Sequence, residues 1–161
     1  MKIKFILLSF LLLLSSCKNE IKTQKYPNDK NKNEVEKYCF LKDVVLRKGE
    51  IKASIDFIDK EPKSRAKEYS YDIQIIELPN DVCYVNKKVD LLEYRLADSV
   101  QIVMQTFSHS TEGNFNFNQL ITPIKLVNFF SKIESERITF MPFYVTIANN
   151  EITSLKEIYI P

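Results

Sequence analysis

Apolar and polar residues divide the chain into three regions of different character. Residues 5–14 are apolar apart from one serine, whereas residues 18–37 carry almost no apolar side chain. From residue 38 onward, apolar and polar positions alternate over several short runs. Such alternation is typical of β-strands with one buried face. The pattern therefore predicts a single globular, β-rich domain at residues 38–161, preceded by two segments of a different kind.

The clearest local prediction is a β-hairpin at the start of this domain. Residues 39–47 are rich in apolar and β-branched side chains, and Lys48-Gly49 follows as a turn. Beyond the turn, apolar residues alternate with polar ones from Ile51 to Phe57. Alternation across a glycine-bearing turn predicts two antiparallel strands.

The middle of the domain mixes helical and extended spacing. Residues 62–69 are predicted to form a short helix, with Pro62 at its first position, and extended chain follows. The next predicted segments are a turn, a short strand, a connection and a long strand, at residues 78–81, 82–85, 86–98 and 99–107.

The last third of the chain predicts a helix and a second hairpin. Apolar residues have helical spacing within 118–130, where Asn118 or Thr122 is the expected N-cap. Asn149-Asn150 is expected to turn between two alternating runs, because asparagine tolerates positive φ. A helix between the third and fourth of five strands is the order of an OB-like barrel. The expected fold is mainly β with one or two helices: a small five- to six-stranded OB-like barrel, with an open α+β half-barrel as the alternative.

The first residues have the layout of an export signal. Lys2 and Lys4 precede the apolar run, and Ser15 and Ser16 follow it. A basic start, an apolar core and two small residues are the parts of a secretory signal. The apolar run is too short for a membrane helix, which needs about 20 residues. Residues 1–16 are therefore predicted to be a cleaved signal peptide.

The four residues from Leu14 to Cys17 resemble the lipobox of bacterial lipoproteins, in which the cysteine is acylated and becomes the first mature residue. This resemblance implies that Cys17 carries a lipid anchor, which more than one acyl chain makes stable. The expected location is a bacterial membrane, on its periplasmic face or at the cell surface, with the outer membrane preferred. Residues 17–37 are then the lipidated cysteine and a disordered tether with a reach of about 25 Å.

Charge and composition exclude several classes of function. The chain has 23 basic and 21 acidic residues, and Lys2 and Lys4 leave with the signal peptide, so the remaining charge is balanced. Without a basic stripe, nucleic acid is not an expected partner. Two glycines in the whole chain leave no phosphate-binding loop, and hydrolase and metalloprotease motifs are missing from the sequence. No catalytic residue, cofactor or metal ligand is predicted, and the protein is expected to be a monomer.

Two cysteines remain in the domain, Cys39 and Cys83. Outside the cytoplasm such a pair either forms a disulfide or stays as two buried thiols, and the sequence leaves both alternatives open. Their spacing matches no zinc site.

The candidate binding residues are polar and aromatic side chains near predicted strand ends, namely Asn80, Asp81, Tyr84, Asn86, Tyr94 and Arg95. Such positions on a rigid barrel commonly bind ligands. Asparagine and aspartate after a proline also build turns without any binding role. His109 lies in a polar loop beside serines, where no separate nucleophile and orienting group are in view.

From about residue 49 to 161 the chain resembles an uncharacterised family of small secreted bacterial proteins and lipoproteins. The segments that carry this resemblance are 51–58, 79–86, 93–96, 142–147 and 158–161. The resemblance implies a small exported domain without an assigned activity.

These expectations favour a membrane-anchored binding or interaction module that contacts another envelope protein. Two alternatives stay open from the sequence. One is a small-ligand carrier with a cavity inside the barrel, and the other is a hydrolase without a recognisable motif that uses Asp81 or His109.

Overall fold

A computed structural model describes residues 34–70 and 73–161, so the predicted signal peptide, Cys17 and most of the predicted tether lie outside the described residues. The described chain contains eight strands and an α-helix: β1 (Glu34–Arg47), β2 (Glu50–Pro62), β3 (Gln74–Glu77), β4 (Val82–Asn86), β5 (Leu91–Met104), β6 (Gln119–Ile121), α1 (Pro123–Phe130), β7 (Pro142–Ala148) and β8 (Glu151–Glu157). Two 3-10 segments lie at Lys63–Glu68 and Ile133–Phe140.

Five strands close into a barrel in the order β1-β2-β5-β8-β7 and back to β1. Neighbouring strands are antiparallel except β5 and β8, which run parallel. Along the chain, α1 lies between the third and fourth barrel strands. The predicted small OB-like barrel is therefore confirmed, and the open half-barrel is wrong because the pairing of β1 with β7 closes the sheet.

The barrel interior is filled by apolar side chains. Successive strand residues point to opposite faces. Each of the following inward-facing residues is less than one tenth exposed: Cys39, Leu41, Ala53, Ile55, Ile102, Phe143, Val145, Ile152 and Leu155. Leu126 of α1 is fully buried in the same cluster. Pro123, at the start of α1, lies beside Gly49 in the β1–β2 turn, so the helix packs near that end of the barrel.

A second and smaller cluster lies on the outer face of the sheet. Phe40, Ile58 and Tyr84 are buried there, and four partly buried residues pack against them: Tyr38, Ile76, Leu78 and Ile158. β4 pairs with the end of β2, and β3 pairs with β4. This extension and the C-terminal residues cover part of the barrel wall.

The local predictions with strong turn or cap chemistry are confirmed. Lys48 and Gly49 have positive φ in the first hairpin, as do Asn149 and Asn150 in the second. Of the two proposed N-caps, Thr122 is the cap of α1, where its side chain accepts a hydrogen bond from the Lys125 backbone N–H.

Several predicted boundaries differ from the structure. Residues 119–121, within the range 118–130 predicted for a helix, form β6, and the strand predicted at 99–107 ends at Met104. β5 begins at Leu91, so residues 91–98 are strand and not a connection, because Leu91 to Arg95 pair with β2. β1 begins at Glu34, inside the predicted tether, since residues 34–37 pair with β7 through their backbone. The predicted helix at 62–69 is a 3-10 segment with no buried residue and no side-chain cap, which leaves little to stabilise a longer helix.

Candidate binding groove

Asn80 and Asp81 form the tip of the turn between β3 and β4. Both are exposed, Asp81 has a φ of 58°, and the Leu78 N–H donates to the Val82 carbonyl across the turn. Their position is that of residues that build a turn, as the turn chemistry of asparagine and aspartate predicts.

Tyr84 and Asn86 are buried, at 3% and 4% exposure. The Asn86 side-chain amide donates to the Asp56 carboxylate at 2.7 Å. The Asp90 backbone N–H donates to the other oxygen of the same carboxylate at 2.9 Å. The Asp56 carboxylate therefore holds both the end of β4, through Asn86, and the connection between β4 and β5, through Asp90.

Tyr94 and Arg95 belong to β5, and they pair with a part of β2 that is far from the part that pairs with β4. Tyr84 pairs with Lys60, whereas Tyr94 pairs with Ala53, and these positions are separated by about 23 Å of strand. Arg95 forms ion pairs with three carboxylates, those of Glu50, Asp98 and Glu151. The six predicted binding residues thus do not converge on one site.

Cys39 and Cys83 are free thiols, and both are fully buried. Cys39 pairs with Phe57 and Cys83 pairs with Glu61, on opposite sides of β2. Strand geometry separates their Cα atoms by about 16 Å, well beyond the reach of a disulfide. Of the two alternatives, the structure has the buried thiols, and burial raises the pKa of both.

The structure brings together a row of tyrosines that the sequence did not group. An open groove of about 480 Å³ runs across the outer face of the barrel. We call it the tyrosine groove, and its lining residues are Tyr38, Tyr84, Gln105, Asn118, Tyr144, Lys156, Glu157, Ile158 and Tyr159.

Strand register places the tyrosine rings side by side. Tyr38 of β1 pairs directly with Tyr144 of β7, and their ring centroids are 5.2 Å apart. On its other side, Tyr38 lies 5.1 Å from Tyr84 of β4. Tyr159, in the segment after β8, packs edge-on against Phe117 at 5.0 Å and forms a further wall. Tyr84 forms the floor, and its burial raises its pKa to about 12, so it stays neutral.

Two lysines lie beside these tyrosines, Lys60 on β2 between the strands of Tyr84 and Tyr38, and Lys156 on β8. Lys60 lies over the Tyr38 ring at 5.6 Å, and Lys156 pairs with Tyr144 across β7 and β8. Among the residues that the structure describes, no carboxylate forms an ion pair with either lysine. Both ammonium groups are therefore available to a bound anion.

The carboxylates near the groove are already engaged. Tyr144 donates its hydroxyl to Glu36, which raises the pKa of that tyrosine. Glu157 is 1% exposed, and it accepts hydrogen bonds from the backbone N–H groups of Gln105 and Thr106 and from the Thr106 hydroxyl. Glu157 therefore holds the end of β5 against β8 and leaves the groove surface to the tyrosines and lysines.

Sequence reasoning selected Tyr84 and missed Tyr38, Tyr144 and Tyr159. A usable signal was present, because Tyr144 lies between the inward-facing Phe143 and Val145 and must point outward. The meeting of Tyr144 with Tyr38 depends on the register between β1 and β7, which no local pattern reveals.

His109, one of the two residues that the hydrolase alternative would use, lies on the surface of the described structure. This exposed residue stacks on Phe115, with ring centroids 4.3 Å apart. Within residues 34–70 and 73–161, no group of histidine, cysteine and acidic side chains is placed to hold a metal ion. The same part of the chain contains no helix of the length and apolarity needed to cross a bilayer.

The fold and the groove together define a small OB-like barrel with an open aromatic groove on its outer wall. Comparisons with protein-family models, with curated proteins and with solved structures find no match for this chain.

Proposed function

We propose that this protein is a bacterial envelope lipoprotein, anchored through acylated Cys17, whose barrel binds an extended acidic segment of another envelope protein in the tyrosine groove. The observation that carries this proposal is the row of tyrosines from β1, β4 and β7, together with Lys60 and Lys156, which form no ion pair within the described part of the chain.

The shape and chemistry of the groove favour an extended polypeptide. Aromatic-lined grooves bind extended chains because flat rings offer large contact areas to a backbone that is already ordered. Tyrosine adds a hydroxyl that can bond to backbone groups of the ligand. Lys60 stands on β2, between the strands of Tyr84 and Tyr38, and Lys156 stands on β8 beside Tyr144. Both lysines favour acidic side chains in the ligand.

The filled interior argues against the small-ligand carrier. A carrier barrel needs an internal cavity, whereas the inward positions of this barrel form one packed apolar cluster. Binding is therefore assigned to the wall of the barrel.

The anchor is tested by feeding cells an alkyne-tagged fatty acid while they express the full chain. We expect label on the wild-type protein and none on Cys17→Ser. Label that persists in Cys17→Ser, or wild-type protein without label, would contradict the anchor.

The groove is tested by zero-length crosslinking of the full chain in intact cells. A carbodiimide joins a lysine amine to a carboxylate in direct contact, so Lys60 and Lys156 are expected to link to acidic residues of one envelope protein, identified by mass spectrometry. The Lys60→Glu/Lys156→Glu variant should lose this adduct. Lys125→Glu/Lys132→Glu, a matched change at two exposed lysines of the helical region, should keep it. Equal adducts in both variants would overturn the assignment of the groove.

A further inference from the structure

An unusually exposed apolar run joins β4 to β5. Val89 is 72% exposed, Leu91 58% and Leu92 36%, within four consecutive residues. Isolated apolar residues on a surface are ordinary, but Val89 and Leu91 are two strongly exposed apolar side chains only two residues apart. Leu92 points to the opposite face of β5 from Leu91 and lines a neighbouring groove.

This run is held in a fixed position. The Asp90 backbone N–H bonds to the buried Asp56 carboxylate at 2.9 Å. Leu91 and Leu92 are already part of β5, where they pair with Asp56 and Ile55 of β2. The apolar side chains are therefore presented by a rigid edge of the barrel.

The groove beside the run is lined by seven charged side chains, which form its rim, and by five apolar or aromatic ones. This second open groove, of about 480 Å³, contains Leu92, Phe57 and Lys88, and Lys37 lies over the Phe57 ring at 4.6 Å. Val35, 43% exposed, is two residues before Lys37 and so faces the same side of β1.

The charges of this rim nearly cancel. The groove is lined by four lysines and three acidic residues: Lys37, Lys60, Lys87, Lys88, Glu36, Asp59 and Asp90. Lys87 forms ion pairs with Asp59 and Glu61, and Lys88 forms one with Asp90. Long lysine side chains beside an apolar patch can lie along it and keep their charge in water.

The patch lies at the end of the barrel where the described chain begins. β1 starts at Glu34, and Glu36 and Lys37 line the same groove as Leu92. We call this the N-terminal end of the barrel. Residues 18–33 separate it from Cys17, and a chain of sixteen residues reaches at most about 55 Å. Helix α1 packs near the opposite end, beside Gly49.

We propose that the N-terminal end of the barrel docks on the surface of the bilayer that holds Cys17, with Val89 and Leu91 inserted among the lipid headgroups. This inference rests on the lipid anchor of the proposed function. The anchor supplies the local concentration, since a covalent link makes the second contact intramolecular and raises its effective concentration. A small apolar patch is then sufficient, and the balanced rim charges make docking insensitive to salt. Tyr38 lines both grooves, whereas Tyr144, Lys156 and Tyr159 line only the tyrosine groove.

The test uses the full chain, lipidated in cells and reconstituted in vesicles of phosphatidylethanolamine and phosphatidylglycerol. A polarity-sensitive fluorophore is attached to Val89→Cys or Leu91→Cys. Cys39 and Cys83 are fully buried, so the new surface thiol reacts selectively in the folded protein. The matched controls are Leu46→Cys and Leu120→Cys, at positions that are 51% and 68% exposed in the native chain and lie away from the patch.

We expect a blue shift at Val89→Cys and Leu91→Cys, loss of their emission when the vesicles contain doxyl-labelled lipid, and neither effect at the two controls. High salt should leave this difference unchanged. Protein that floats with the vesicles while all four probes stay aqueous, or are quenched equally, would overturn docking and leave the anchor standing. Protein that does not float with the vesicles would overturn the anchor and the docking together.

Discussion

At the residue scale, the most informative position is Asp56. Its place in an alternating strand predicts an outward-facing carboxylate, and that orientation is correct, yet the residue is fully buried. The outer face is covered there by the second cluster and by the β4–β5 connection. Alternation identifies the side of a sheet, but it does not tell whether later parts of the chain cover that side.

Asn86→Ala should destabilise the fold, because it leaves the buried Asp56 carboxylate without a donor that lies at 2.7 Å. Hydrogen bonds to charged groups contribute roughly 1.5–3 kcal/mol, so we expect a loss of about 2 kcal/mol in the free energy of unfolding, measured by urea titration. Asn80→Ala removes the same side chain from an exposed turn and should change stability little. Equal losses for the two variants would contradict the structural role of Asn86.

Glu61 is expected to cause part of the loss of stability at acidic pH. Hydrogen bonds from Lys87 and Tyr69 lower the pKa of this carboxyl below its ordinary value of 4.5. The folded state thus holds the proton less readily than the unfolded chain. The stabilisation is fully present above pH 4.5 and is lost as the pH falls through the lowered pKa.

The measurement is the urea midpoint between about pH 6 and about pH 3. Glu61→Gln should weaken the decline of the midpoint toward acid, whereas Glu112→Gln, in an exposed loop, should follow the wild type. A decline in Glu61→Gln as steep as that of the wild type would show that this carboxyl does not contribute.

At the element scale, the sequence predicts best the turns and helix caps, because these depend on side chains close by in the chain. The Asn149-Asn150 turn and the Thr122 cap of α1 follow from side chains that satisfy nearby backbone groups or tolerate positive φ. The first half of β5 was missed, since Leu91 and Leu92 are both exposed and hide the alternation. Its strand conformation comes from pairing with β2, more than thirty residues earlier in the chain.

Helix α1 is expected to stabilise the barrel through one side chain. Leu126 is fully buried in the barrel cluster, whereas Ile124 is 47% exposed. Truncating a buried leucine costs roughly 2–5 kcal/mol, so Leu126→Ala should lower the free energy of unfolding by about 3 kcal/mol. Ile124→Ala on the same helix should cost much less. Thermal or urea unfolding of the two variants checks the difference, and similar losses would show that α1 does not pack as described.

At the scale of the whole molecule, the order of the elements was sufficient to predict the barrel. The helix after the third barrel strand and the two hairpins leave few ways to connect five strands, and the OB-like order is the one found. The binding surface was less accessible to sequence reasoning. Tyr84 of β4 and Tyr94 of β5 are close in sequence but pair with distant residues of β2. Tyr38 and Tyr144 are over a hundred residues apart and yet form a direct pair.

The central claim is that the tyrosine groove binds an envelope partner while the chain is tethered to a membrane. Its most direct test places a photoreactive phenylalanine analogue at Tyr144 of the full chain in living cells, with the same analogue at Phe140, an aromatic residue that is 56% exposed and outside the groove. We predict one discrete adduct with an envelope protein at position 144, its loss when Lys156→Glu is added, and no such adduct at position 140. The same adducts at both positions, or none at position 144, would contradict the account.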